Sequence, residues 1–400
     1  MTDSDIGAPP ADAPPTGDGA VRAAAGAVTA TVAVVVPVFL LGGLSVLIAR
    51  DLHFSAAGLG GLVSVYFTVC AVCSVPTGRL VERYGPQRAT RAGIVLSAVA
   101  MALIAVAARS YVTLFALVAL AGAANALGQL GSNLSLARSV PPHRQGLSFG
   151  VKQAAIPIST LVAGVAVPVI GLTLGWRWAF GLAALVSLGA LAVVPPERGG
   201  TRRGRPHERS ARTRALVVVG VAAMLASGTA NALGSFLVAS AVDRGVAEGA
   251  AGLVLAAGSA LGIAGRIAAG WLADRRTGGH LLVVTGMLVS GAFGLALLAV
   301  PGPAAMLIGT LAGFGLGWAW PGLLNFAVVR LESQAPAAAT SITSTGVYAG
   351  GAAGPLAFGG MVHTWSYPTA WLVTAVVMVL AAGLMLAGRS LLLGHPRPAR

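Results

Sequence analysis

The chain has 400 residues, 56% hydrophobic and only 10% charged, with a formal net charge of +14. A soluble domain carries about 25% charged residues, so this sequence cannot wrap a core in a water-facing surface. The six histidines, at 53, 143, 207, 280, 363 and 395, are scattered; neither clustered metal ligands nor a nucleophile with its base is in prospect, which argues against a membrane enzyme.

Residues 1–22, rich in Pro and Asp, lack the positive charge and apolar core of a cleavable signal peptide and read as a short disordered cytoplasmic tail. Apolar segments of roughly 20 residues, long enough to cross a hydrocarbon core, follow at about 23–49, 56–78, 90–108, 111–137, 146–172 and 178–195. Beyond a polar stretch they resume at about 215–241, 249–273, 280–300, 303–329, 337–362 and 367–393. The prediction is an all-α membrane protein with 12 transmembrane helices. Its parts are an N-terminal six-helix bundle (23–195), a basic linker (196–214), a C-terminal six-helix bundle (215–393) and a tail (394–400). Carboxylates are expected only in tails and loops. With the N-terminus inside, twenty arginines fall on the cytoplasmic side and four, Arg50, Arg109, Arg177 and Arg244, outside. That is the positive-inside rule. It predicts a multi-pass inner (cytoplasmic) membrane protein with both termini and the linker in the cytoplasm. The basic charge then faces lipid and sets topology; it is no nucleic-acid footprint.

Along the first half, Cys70 and Cys73 have CxxC spacing inside an apolar run, with no His or further Cys beside them. They read as buried packing, not as a metal or redox pair. After the second segment comes Gly78-Arg79-Leu80-Val81-Glu82-Arg83-Tyr84-Gly85, with Arg88 beyond. The fourth carries Asn125, Gln129 and Asn133 at i, i+4 and i+8, on one helix face. Lys152, the only lysine beside 25 arginines, lies six residues past Gly146, ~9 Å into the fifth helix. Such a bias reserves lysine for a place where a compact charge is useful.

In the second half, the seventh segment has its own polar stripe, Ser227, Asn231 and Ser235. The eighth holds Arg266, ~10 Å from its cytoplasmic end, and closes on Gly270-Trp271-Leu272-Ala273-Asp274-Arg275. Gly78 aligns with Gly270 and Glu82 with Asp274, each 192 residues apart, which marks an internal repeat.

With these motifs the chain resembles the major facilitator superfamily over residues 23–393. The superfamily's loop signature, roughly G-x-L-A-D-R-x-G-x-R-R, matches residues 78–88, with Glu82 where Asp is usual and a single Arg88 at the end. A weaker copy matches 270–275. The resemblance implies two pseudo-symmetric six-helix bundles that rock around a central site, in a monomeric secondary transporter. It implies a small-molecule substrate and no cofactor or metal, and leaves a coupling ion open. It also makes Gly78, Glu82, Arg83, Gly85, Arg88, Gly270, Asp274 and Arg275 gating residues. Physically, the glycines let helix backbones approach, and a carboxylate past one helix end accepts hydrogen bonds from the N-terminus of a facing helix. The plainer alternative is a topogenic loop with a tight turn at Gly85. By resemblance the first, fourth, seventh and tenth helices line the cavity. That nominates Asn125, Gln129, Asn133, Asn231 and Ser235, then Trp318, Trp320 and Asn325 around Pro321, and Tyr348 in the eleventh helix. The same polar stripes also serve to join helices.

Each intramembrane cation costs about 3 kcal/mol to place and ordinarily faces a cavity or partner. The superfamily fold brings the fifth and eighth helices together where the bundles meet. Lys152 and Arg266, at one depth and without a counter-carboxylate, suggest an anion site there; snorkelling to the interface is the other reading. An arginine in the eighth helix resembles monocarboxylate and oxalate carriers, although the eleventh-helix lysine of the oxalate carriers is absent. The glycine-rich run Gly346–Gly360 resembles the antiporter signature of drug exporters, which belongs in the fifth helix; here it implies close packing and bending, not antiport. The function expected is transport of a small organic anion by alternating access. The alternative is proton-coupled export of drug-like or secondary metabolites, for which the helices offer no Asp or Glu. A carrier-like sensor is the reading from a different class.

Overall fold

The computed structural model describes residues 17–139, 145–194, 213–332 and 336–394, and among these every regular element is helical. The linker and both tails expected from the sequence lie largely outside the described residues. The first half contains α1 (Gly17–Gly43), α2 (Ser45–Leu52), α3 (Ala56–Tyr84), α4 (Pro86–Ala107), α5 (Tyr111–Ser139), α6 (Gln145–Gln153), α7 (Ala155–Ala166) and α8 (Trp176–Val193). The second contains α9 (Thr213–Asp243), α10 (Glu248–Arg275), α11 (His280–Leu297), α12 (Pro303–Ala312), α13 (Trp320–Leu331), α14 (Pro336–Thr364) and α15 (Tyr367–Gly394).

Eleven stretches among the described residues are long and apolar enough to span a membrane. The further long helix, α14, falls short because glycine, serine and threonine fill it. The same small residues let it wedge between α3 and α9, since small side chains bring backbones together. The architecture is two pseudo-symmetric six-helix bundles. In the first, α1 packs on α4, α5, α7 and α8; in the second, α9 and α11 pack on α15. The halves meet where α10 packs against α6 and α7, α13 against α6, α3 against α14, and α1 against α9.

Two corrections to the sequence reading have a physical cause. The fifth and tenth spans are not continuous α-helices. The fifth breaks between α6 and α7 and ends in a π-turn (Val167–Gly171); the tenth runs from α12 through a π-turn (Gly313–Gly317) into α13. Proline drives these breaks, because it has no N–H for the carbonyl four residues earlier. Pro157 thereby leaves the carbonyl of Gln153 open. Pro37 does the same to Ala33, whose oxygen instead accepts from Ser97 Oγ at 2.7 Å. Second, the helices outrun the apolar segments. Asp51, Glu82, Asp243, Glu248 and Asp274 therefore stand in terminal helical turns, not in loops.

The α6–α10 seam shows why glycine occupies it. A Cβ on Gly150 would lie 2.8 Å from the Arg266 carbonyl oxygen, closer than real contacts allow, and 3.0 Å from Gly270 Cα. By contrast, a Cβ on Gly78 would meet nothing within 4 Å. The close-approach argument therefore holds at Gly270 and fails at its repeat partner. Gly85 does sit in a tight turn: its φ of +88° suits glycine, and its N–H closes α3 onto Val81 O at 2.9 Å.

Candidate functional site

Lys152 is 3% exposed, in the last turn of α6. Its ammonium donates to Gln129 Oε1 at 2.8 Å and to Asn133 Oδ1. Both acceptors come from the α5 stripe, and Asn133 is exposed, so this polar track reaches the surface at one end. The amide oxygens satisfy donors but bring no opposite charge.

Arg266 is 2% exposed on α10, and its Nη1 donates to the open carbonyl of Gln153 at 2.5 Å. The carbonyl freed by Pro157 thus ties the two bundles and places Arg266 beside the residue following Lys152. The other guanidinium donors, Nε and Nη2, are buried with no partner among the described residues. One face of the guanidinium lies 5.6 Å from the ring of Trp318, within cation–π range. Trp318 is buried between Phe39 and Phe314, at centroid distances of 5.6 and 5.4 Å. Two buried cations therefore stand on helices that pack on each other across the halves, Lys152 turned to α5 and Arg266 to the Gln153 carbonyl, and the described helices carry carboxylates only in terminal turns.

The other nominated residues divide. Asn125 is buried on α5, with Nδ2 donating to Cys70 Sγ at 3.2 Å, and Tyr348 of α14 stands near that thiol. Cys70 is buried and free, in line with packing, and its sulfur also accepts from Asn125. Ser235 is buried with its hydroxyl unpartnered, where α9 crosses α1 at Gly42. Asn325 is half-buried on α13, a helix packed on α6. Asn231 bonds within its own helix to Ser227, and Ser227 Oγ donates to Val347 O of α14 at 2.8 Å. That pair knits α9 to α14.

At the end of the molecule that carries the loop signatures, Asp274 receives both N–H groups of a facing helix. Gly146 N donates to its Oδ1 at 3.0 Å and Leu147 N to its Oδ2 at 2.9 Å. These are orphan donors of the first turn of α6, where a carboxylate is favoured by both hydrogen bonding and the helix dipole. Glu82, its repeat counterpart, is exposed. Arg275 stacks on Trp271 at 3.8 Å and Arg83 on Tyr84 at 5.3 Å; Arg88 is exposed in the first turn of α4.

Sequence reasoning missed the opposite end. Glu248, in the first turn of α10, pairs with Arg50 of α2, again across the two halves. Nearby, Arg177 and Trp176 donate to Asp51 Oδ2 at 2.6 and 3.1 Å. Partial burial pushes the Asp51 carboxyl up, but these hydrogen bonds and the Arg177 charge outweigh it and hold it below its ordinary value. Deeper in the seam, Thr160 and Ser259 share a hydroxyl hydrogen bond of 2.6 Å. The only sequence signal for the Arg266 anchor was Pro157, four residues past Gln153. The ion pair with Arg50 had none.

Two repeated helical halves, eleven apolar spans and a carboxylate of one half capping a facing helix of the other define a multi-pass membrane protein. Comparison with known proteins agrees. The Major Facilitator Superfamily model matches residues 23–332 and 216–399, and the chain belongs to that superfamily. It is 29% identical over 329 residues to a chloramphenicol resistance protein of Streptomyces lividans, covering 80% of this chain and 83% of the relative. The protein is a membrane transporter and not an enzyme.

Proposed function

We propose that the protein carries a small organic solute with an anionic group, held between the bundles by Lys152 and Arg266. The observation that carries this reading is Arg266: a buried guanidinium with two unpartnered donors, at the seam where the halves meet. Buried donors without partners carry a desolvation penalty of about 1–3 kcal/mol each, and a bound oxyanion removes it. Lys152 adds a second charge, and a carboxylate accepts both in charge-assisted bonds. The boundaries 23–195 and 215–393 are the moving bodies of a rocker-switch cycle, and the arginine-rich end faces the cytoplasm. A thermal-shift screen of carboxylates, amino acids, sugars and antibiotics tests it, because ligands that bind the folded state raise the melting temperature. Anions as the stabilising class support the reading; stabilisation by neutral compounds alone overturns it.

One observation favours a second reading, export of drug-like molecules: the similarity to a chloramphenicol resistance protein. Expression in a susceptible host separates the two. Raised chloramphenicol tolerance, lost with Trp318→Ala but kept with Arg266→Gln, selects the drug-export reading.

A further inference from the structure

We propose that Asn125, with Cys70 and Tyr348, forms a second subsite that receives a neutral hydrogen-bond donor of the solute. The donor is a hydroxyl or amide N–H, about one helical turn from the group held by Lys152 and Arg266. The proposal rests on the anion reading above and adds what the rest of the solute must carry.

Three elements build the subsite. Cys70 comes from α3 and Asn125 from α5, while Tyr348 comes from α14 in the other half. Asn125 is 2% exposed and Cys70 is fully buried. The Asn125 Nδ2 is occupied by the thiol, and Tyr348 stands near that thiol. Asn125 Oδ1 is left as a buried acceptor with no partner among the described residues. Buried acceptors are ordinarily satisfied, so this one calls for a donor from outside the protein. Gln129 stands one turn further along the same face of α5, ~6 Å away, and already holds Lys152. The two subsites are therefore consecutive steps of one polar track. The neighbouring cations also fix the donor's charge. An ammonium would be repelled by Lys152 and Arg266 across a low-dielectric path, whereas a hydroxyl would not.

The probes are phenylacetate and 4-hydroxyphenylacetate, which share a carboxylate and differ in one distal hydroxyl. Their affinities are measured by calorimetry on the full-length protein in nanodiscs. The unaltered protein should bind the hydroxylated probe roughly three- to tenfold more tightly, the span of one net hydrogen bond. Asn125→Leu should erase that preference and keep phenylacetate binding; Arg266→Gln should weaken both probes. A second readout needs no Asn125 variant: at equal concentration, 4-hydroxyphenylacetate should raise the melting temperature of the unaltered protein more than phenylacetate does. Equal affinities in the unaltered protein, a preference that survives Asn125→Leu, or equal thermal shifts would overturn the subsite alone. Binding of neither probe overturns the anion reading, and the subsite falls with it.

Discussion

Pro157 shows how one residue type sets the site. By withholding an N–H it leaves the Gln153 carbonyl open, and Arg266 of the other half takes it. Pro157→Ala returns an in-helix donor to that carbonyl. Arg266 should then lose its anchor, and affinity for the best thermal-shift ligand should fall about three- to tenfold, while the melting temperature holds or rises. Unchanged affinity would show that the anchor plays no part in binding. Lys152 is caged by two amide oxygens, a fit for a compact ammonium with three donors. Lys152→Arg brings a planar fork to that cage and should restore only part of the binding lost in Lys152→Gln; full restoration would mean that charge alone matters there. The two intramembrane cations and the i, i+4 stripe of α5 were legible in the sequence because their signal is local. The partners of Cys70 were not, since they come from helices 55 residues downstream and further still. Arg266's open donors depend on packing that no periodicity encodes.

Helices carry the closure. The repeat predicted equal roles for Glu82 and Asp274, yet Asp274 caps α6 with both oxygens while Glu82 is exposed. The repeat was legible; the difference between its copies was not, because it lies in what each loop faces. The glycines differ in the same way. Gly270→Ala would push a methyl to 2.7 Å from Gly146 O, and overpacking of this kind costs about 1–3 kcal/mol. Gly78→Ala meets nothing within 4 Å and should be neutral, or stabilise by up to about 1 kcal/mol. Thermal melts of the two variants check this; equal effects would contradict the asymmetry. Asp274→Asn removes the charge at the α6 N-terminus, worth about 0.3–1 kcal/mol when exposed and up to ~2 when partly buried. A cysteine placed at Leu147 should then react faster with a maleimide. An unchanged rate would leave the signature as a turn.

Across the whole molecule, α10 is tied to the opposite half at both ends, by Glu248 to Arg50 and by Asp274 to α6. In the proposed rocker-switch cycle the two ties break in turn. Eleven of the twelve expected spans, the repeat and the superfamily were legible from hydropathy and the two loop signatures, whereas the Arg50 tie depends on a contact almost 200 positions apart in the chain. Topology has its own check. A cysteine at Arg205, in the linker, should stay unlabelled by an impermeant thiol reagent outside intact cells, and labelling there would reverse the orientation. The central claim, that the buried cation pair holds the solute, is tested most directly by one affinity measurement. The dissociation constant of the best thermal-shift ligand is compared between unaltered protein and correctly folded Arg266→Gln. Loss of a charge-assisted hydrogen bond of about 1.5–3 kcal/mol predicts a rise of roughly one to two orders of magnitude, and an unchanged constant would contradict the account.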